Sequence, residues 1–183
     1  MERRREGEWL HRGETTMYAS DWVSVSVADV LLPDGSQVDH HVVRMPRPAA
    51  GTIVIAGDEV LLLYRHRFIT ETWGWEIPAG GVDAGELPAD AAVRETREES
   101  GWEPSSVRPL CVFHPANGLL DQAFHIFVSD DATHVGEPTD RNEATRIEWV
   151  AVDAIRTMLR DGDITDGLTF GALTYALAVD GLG

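Results

Sequence analysis

The apolar positions of the chain fall into short stretches, more of them alternating or continuous than helical. Over residues 22–30, Val23, Val25 and Val27 alternate with Ser24 and Ser26. That period of two is the signature of a half-buried strand. Pro33, Asp34 and Gly35 mark a turn, proline presetting φ and glycine free to take φ > 0. A second alternating stretch follows over 38–45, so the two predict a β-hairpin, closed off by Pro46 and Pro48. Residues 52–56 and 60–65 are apolar runs around Gly57, Asp58 and Glu59 and predict two buried strands. Further strands are predicted at 75–77, 107–113, 123–128 and 145–151, and a loop around Gly80, Gly81 and Gly85. A helix is predicted over 88–100, with Pro88 in its first turn and Gly101 at its end. Two more are predicted over 152–160 and 166–178, the last carrying Leu173 and Leu177 at i, i+4. Residues 1–17 are polar and aperiodic and are expected to fray. The expected organisation is a loose tail (1–17), a β-hairpin module (18–48) and a main domain (49–183). Strands with one helix mid-chain and two at the end give an α+β class, a mixed sheet covered by helices.

Composition narrows the class. A chain of 183 residues buries roughly 70% of the surface its unfolded form exposes, so no disulfide or structural metal is required. Cys111 is the single cysteine, which favours a reducing compartment. No apolar run approaches a membrane span, and the basic start is not followed by an apolar segment. A cytoplasmic protein that binds no membrane is expected. Fifteen basic residues, all arginine, face 31 acidic ones, for a net charge of −16. Such a chain does not capture nucleic acid by long-range attraction. It can bind a polyphosphate if cations first neutralise a local acidic cluster; otherwise the charge serves solubility.

One segment carries candidate chemistry. Glu95, Glu98 and Glu99 sit at i, i+3 and i+4, so a helix puts them on one face. Like charges so placed repel by a few tenths of a kcal/mol per pair, which is tolerable when the cluster binds a hard cation such as Mg²⁺ or Mn²⁺. The preceding glycines let backbone approach the same ion or a phosphate. Glu86 and Arg94 can pair and hold that loop against the helix. The plainer alternative is a solvated charged face with incidental Arg–Glu pairs.

The spacing decides between them. Gly80, Glu86, Arg94, Glu95, Glu98, Glu99 and Gly101 stand at Gly-x5-Glu-x7-Arg-Glu-x2-Glu-Glu-x-Gly, and this segment resembles the Nudix box. The one departure is Thr96, where the pattern prefers an aliphatic residue. Trp75-Glu-Ile-Pro-Ala-Gly80 is similar to the lead-in of ADP-ribose pyrophosphatases, as are the hairpin, Tyr64-Arg65-His66-Arg67, the stretch 149–153 and the stretch 162–166. The resemblance implies a Nudix-type α/β/α sandwich with an N-terminal hairpin module, a homodimer, and a Mg²⁺- or Mn²⁺-dependent hydrolase. It implies Glu95, Glu98, Glu99 and the Ala79 carbonyl as metal ligands. It places a remaining acid before the strand ending at Trp149. Glu143 matches it as metal ligand or general base, or is an ordinary loop acid, while Glu148 belongs to the strand. Arg67 matches an arginine that contacts the diphosphate. Trp22 matches an aromatic that stacks on a base, or is buried in the hairpin interface. Gln122 stands where these enzymes carry a glutamate, which shifts the expected substrate from ADP-ribose itself toward a nucleoside diphosphate hexose. The implied reaction splits a nucleoside diphosphate linked to another moiety into a nucleoside monophosphate and a sugar phosphate. The alternatives are a nucleoside triphosphate pyrophosphohydrolase and a non-catalytic ligand-sensing protein of the same family.

Overall fold

A computed structural model describes residues 5–140, 142–180 and 182. The chain divides into two compact units, Met1–Pro46 with Ala116–Gln122, and Arg47–Pro115 with Ala123–Gly183.

The first unit contains the expected hairpin and one strand more. β1 (Leu10–Ala19), β2 (Ser24–Leu31) and β3 (Gln37–Arg44) form an antiparallel sheet in that order. Residues 10–17, expected to fray, therefore lie in β1; residues 1–4 of that tail lie outside the described residues. Polar side chains gave β1 no periodicity, but its backbone pairs with β2 from Leu10↔Leu31 to Ala19↔Ser24. Ion pairs tie its side chains across the sheet, Glu14 to Arg44 at 2.6 Å and Arg12 to Asp29 at 2.7 Å. The faces of β2 also differ from expectation. Ser26, Ala28 and Val30 are buried, whereas Val25 and Val27 are half-buried. The Ser26 face is the one on which Glu14 and Thr16 close, so small side chains there lie beneath long polar ones. The loop 116–122 belongs to this unit and not to the main domain: the Val43 N–H donates to the Leu119 carbonyl at 2.8 Å and Arg44 pairs with Asp121 at 3.2 Å.

The second unit contains β4 (Ala49–Ala56), β5 (Glu59–Arg67), β6 (Thr72–Glu76), β7 (Ala79–Gly81), α1 (Pro88–Ser100), β8 (Trp102–Pro104), β9 (Arg108–Phe113), β10 (Phe124–Ser129), β11 (Ala132–His134), β12 (Arg146–Ala151), α2 (Val152–Asp161) and α3 (Gly167–Tyr175), which a π turn continues over Ala176–Asp180. The main sheet has the order β12-β5-β4-β10-β9, with β6 joined to β5 and β7 to β4. β4 and β10 run parallel and the other pairs antiparallel, so the sheet is mixed. Alternate residues serve opposite faces. Ala50 and Phe127 meet Ala91 and Ala92 of α1. Ile53, Leu62 and Val128 meet Ile155, Leu168 and Leu173 of α2 and α3. This is the expected α/β/α sandwich. Burying each of these isoleucine, leucine and valine side chains stabilises it by about 1.5–3 kcal/mol. The glycines expected to form a loop instead include β7, where Gly80 pairs with Ala50. β8 and β11 pair only with each other and are too short to leave a periodic signal.

Candidate active site

Four elements bring the candidate residues of the second unit together. α1 opens on Pro88 without a side-chain cap and closes at Gly101, whose φ of 75° is left-handed. A Cβ at Gly101 would collide with the Gly136 carbonyl, so both space and backbone require glycine there. Thr96, the departure from the pattern, is fully buried, and its hydroxyl donates to the Ala92 carbonyl at 2.7 Å. The polar substitution is thereby satisfied without disturbing the packing beneath α1.

Arg94 organises one half of the cluster. It donates to both Glu86 oxygens at 2.8 and 2.9 Å, to Glu95 at 2.7 Å, to Glu98 at 3.1 Å and to the Gly81 carbonyl at 2.9 Å. Glu86 in turn accepts from the Asp83 N–H at 2.9 Å. Its bonds to Arg94 hold Glu86 down at about 2, so it remains ionised and clamps the loop to the helix as expected. Glu95 lies over Gly80: a Cβ at that position would overlap the Glu95 carboxylate. Burial raises the Glu95 pKa.

Arg65 organises the other half. It is 3% exposed and sits on β5 against three carboxylates from three elements. Its Nη1 donates to Glu99 at 3.1 Å and to Glu143 at 3.0 Å. Its Nη2 lies 2.9 Å from the second Glu99 oxygen, and its Nε 3.6 Å from Glu76. Glu99 is 2% exposed and also accepts from the Ala79 N–H at 3.0 Å. Burial, partly opposed by Arg65, pushes Glu99 up to about 8. Arg65 itself stays charged, since its carboxylate partners outweigh its burial. Removing one member of such a buried pair costs about 3–5 kcal/mol. Glu76 also accepts both Arg67 bonds, at 2.9 and 2.5 Å. A cavity of about 460 Å³ opens beside Arg67 and Glu76, its lining including Phe68, Ile69, Thr165 and Asp166.

The donor chemistry fits a hard divalent cation. The groups are all oxygens, the Gly80 cradle lets Glu95 approach the backbone, and buried Glu99 shares a single guanidinium with Glu76 and Glu143. Among the described residues no three such side chains already form a closed metal set, and Arg65 and Arg94 pair with the carboxylates. The solvated-face alternative does not describe Glu99 or Glu95, which are buried or nearly so.

Of the residues singled out in the sequence, Glu86, Arg94, Glu95, Glu98, Glu99, Ala79, Glu143 and Arg67 all fall in this cluster. Trp22 and Gln122 belong to the first unit. Trp22 is 79% exposed, so the chain does not bury it in the hairpin. Glu148 lies on β12, as expected, paired with Arg146 at 2.5 Å. The sequence pattern alone assigns Arg65 and Glu76 no role. Their signal was present: a charge at the end of an apolar strand run, and a second in the next strand.

The chain belongs to the Nudix family, for the NUDIX domain model matches residues 45–167, and it is an enzyme of the Nudix pyrophosphohydrolase class. It is 44% identical over 179 residues to a CMP-5′-(N-acetyl-N-hydroxy-3-aminopropyl)phosphonate hydrolase of Streptomyces rubellomurinus, spanning 96% of this chain and 84% of that one. It is 29% identical over 176 residues to an ADP-ribose pyrophosphatase of Mycobacterium tuberculosis, spanning 94% and 81%. An ADP-ribose pyrophosphatase of Bacillus subtilis is 25% identical over 162 residues, spanning 87% of each. A crystal structure of an ADP compounds hydrolase superposes with a TM-score of 0.85 over 99% of each chain at 20% identity, a likeness of fold.

Proposed function

We propose that the chain is a Mg²⁺- or Mn²⁺-dependent hydrolase of the anhydride bridge between a nucleoside 5′-phosphate and a second acidic phosphorus group, either the phosphate of a sugar phosphate or a phosphonate. The observation that carries this is the shared guanidinium: Arg65 stands against Glu76, Glu99 and Glu143 at once, with Glu95 and Glu98 beside them. The negative excess of that cluster suits a cation and, with it, a diphosphate. The names of the relatives support the same bond type, one with a phosphonate on the far side and two with ADP-ribose.

Glu95, Glu98, Glu99 and the Ala79 carbonyl would hold the ion. When bound, a divalent cation neutralises phosphate oxygens and acidifies a water molecule. Glu143, 49% exposed at the mouth of the cluster, accepts the proton of the attacking water. Glu76 takes the Nε and Nη2 edge of Arg67 and fixes its orientation, which leaves the Nη1 side of the guanidinium for the diphosphate oxygens. Arg94 and Glu86 keep the β7 loop and α1 in one geometry. The products are a nucleoside monophosphate and a sugar phosphate or a phosphonate.

The test is a panel of ADP-ribose, UDP-glucose, a CMP-linked alkylphosphonate and CTP, with products separated chromatographically. Nucleoside monophosphate should form from at least one of the first three in Mg²⁺ or Mn²⁺, and should cease on chelation. Pyrophosphate release from CTP alone, or cleavage that survives chelation, overturns the proposal.

A further inference from the structure

We infer that Arg65 is a positioning residue that fixes Glu143 in its working place, coupling the loop that carries this acid to α1 and β6. The inference rests on the proposed role of Glu143.

The loop is anchored by backbone on both sides of the acid. Before it, the Thr139 and Asp140 N–H groups donate to the Glu98 carbonyl at 2.9 and 3.1 Å. After it, the Thr145 N–H and hydroxyl both donate to the Tyr64 carbonyl, at 2.9 and 3.1 Å. These bonds locate the ends of the loop, one on α1 and one on β5. They do not locate the carboxylate between them. Among the described residues the Glu143 N–H donates to the Asp140 carbonyl at 3.1 Å, within the loop itself. The Glu143 side chain is half exposed and rests beside Glu99, whose carboxyl it contacts and whose pKa that contact helps to raise. Its cationic contact is Nη1 of Arg65 at 3.0 Å, and that nitrogen also holds Glu99 at 3.1 Å. One nitrogen thus sets the distance between the two acids.

The rest of the guanidinium argues against a purely structural ion pair. Nε and Nη2 make no hydrogen bond among the described residues, although both are buried. Nη2 stays close to Glu99 in charge contact without alignment. A buried arginine that served stability alone would satisfy its N–H groups, because each one left unmade is costly. Arg65 instead gives its aligned bonds to acids on two separate elements. A lysine there would keep the charge but offer no planar fork to bridge them.

The experiment combines Arg65→Lys, Glu143→Gln and the double variant in the full chain. Amide hydrogen exchange needs no substrate and is read first. In Arg65→Lys, the Glu143 amide should exchange at least tenfold faster while the Thr145 amide is unchanged. With any substrate that the wild type cleaves, kcat should fall about 10²-fold, the scale of a 1 Å misplacement, with KM within threefold. Mn²⁺ affinity, measured by electron paramagnetic resonance, should stay within threefold. The double variant should be no more than threefold slower than Glu143→Gln alone, because the two residues act as one unit. Unchanged Glu143 exchange in Arg65→Lys overturns the inference. So does a full 10²-fold loss that persists in the Glu143→Gln background, or a large loss of Mn²⁺ affinity, since either would mean that Arg65 acts through Glu99. Should Arg65→Lys fail to fold, Glu143→Gln is read by the Arg65 side-chain Nη signals. Their exchange with water should quicken when the bridge is broken, and unchanged signals overturn the inference. Absence of activity on every substrate would count against the proposed function and leave the exchange result standing.

Discussion

Replacing Gly80 with alanine separates the geometry of the metal cluster from the stability of the fold. Gly80 pairs with Ala50 in β7 and has ordinary strand backbone, so alanine meets no left-handed strain. Removing glycine from such a position stabilises a protein by about 0.4–1 kcal/mol through the unfolded chain. The nearest obstacle to the methyl group is the Glu95 carboxylate, all three of its heavy atoms lying within overlap of the new Cβ. That carboxylate is the far end of a flexible side chain and must retreat by about 1 Å, a displacement that costs an enzyme on the order of 10²-fold in rate. Arg94 holds Glu95 at 2.7 Å and would have to follow it or release it. Gly80→Ala should therefore melt within a few degrees of wild type while kcat/KM with Mg²⁺ falls about 10²-fold. Gly13→Ala, on β1 with open space around its Cβ, should change neither quantity. The assay is product release across a Mg²⁺ titration, with calorimetry alongside. If Gly80→Ala retains activity within twofold of wild type, the Glu95 carboxylate is not where the reaction needs it, and its assignment as a ligand fails.

Arg67→Gln removes the fork paired with Glu76 and should raise KM for a diphosphate substrate about tenfold, equivalent to about 1.4 kcal/mol, with kcat within threefold; an unaltered KM would show that Arg67 only neutralises Glu76. In the first unit, Arg44 holds Glu14 down at about 2. A depressed carboxylate stabilises the folded state fully above its unfolded value near 4.5, and the contribution is lost as pH falls from there through about 2. Amide protection in β1 should accordingly weaken over that window, and Arg44→Met should flatten the dependence; a protection profile independent of pH below 4.5 would refute it. The exposed Trp9, Met17, Tyr18 and Trp22 of the first unit predict a homodimer, so light scattering at micromolar concentration should give about twice the 20.1 kDa chain mass, and a particle of 20.1 kDa would reject it.

The elements that were legible in the sequence are those where independent signals coincide. The bounds of α1 match because proline starts it, glycine stops it and the acids between require one helical face. The core strands β4, β5 and β10 match because an apolar run with punctuation at both ends leaves little choice. β1 was illegible because backbone pairing needs no apolar periodicity when ion pairs such as Glu14–Arg44 supply the cross-strand contacts. The faces of β2 were illegible for a related reason. Valine signals burial on average, yet here serine and alanine occupy the covered face because long side chains fold over it. The loop 116–122 joined the first unit through hydrogen bonds to β3 some 75 positions away, a separation no local pattern records.

The site divides in the same way. The acids of α1 were legible because a helix turns sequence spacing directly into shared direction. Arg65 and Glu76 were not, because the register of β5 on β6 and the return of a loop 78 positions later bring them together. Overall charge gave only half of the picture. A net −16 says that anions are not attracted from afar, but the cluster itself decides what binds. Glu76, Glu86, Glu95, Glu98, Glu99 and Glu143 face Arg65, Arg67 and Arg94, six carboxylates against three guanidiniums. Were all six ionised, three negative charges would be uncompensated in a partly buried space. Burial pushes Glu99 up to about 8, so at neutral pH it tends to keep its proton in the metal-free chain. Two negative charges then remain in the metal-free chain, and a third appears when Glu99 is ionised. A cation that took Glu99 as a ligand would have to displace that proton, which makes its affinity rise with pH until Glu99 is ionised. The arginines hold the carboxylates in place without cancelling them, and this residual charge connects an acidic chain to a phosphate-bearing substrate.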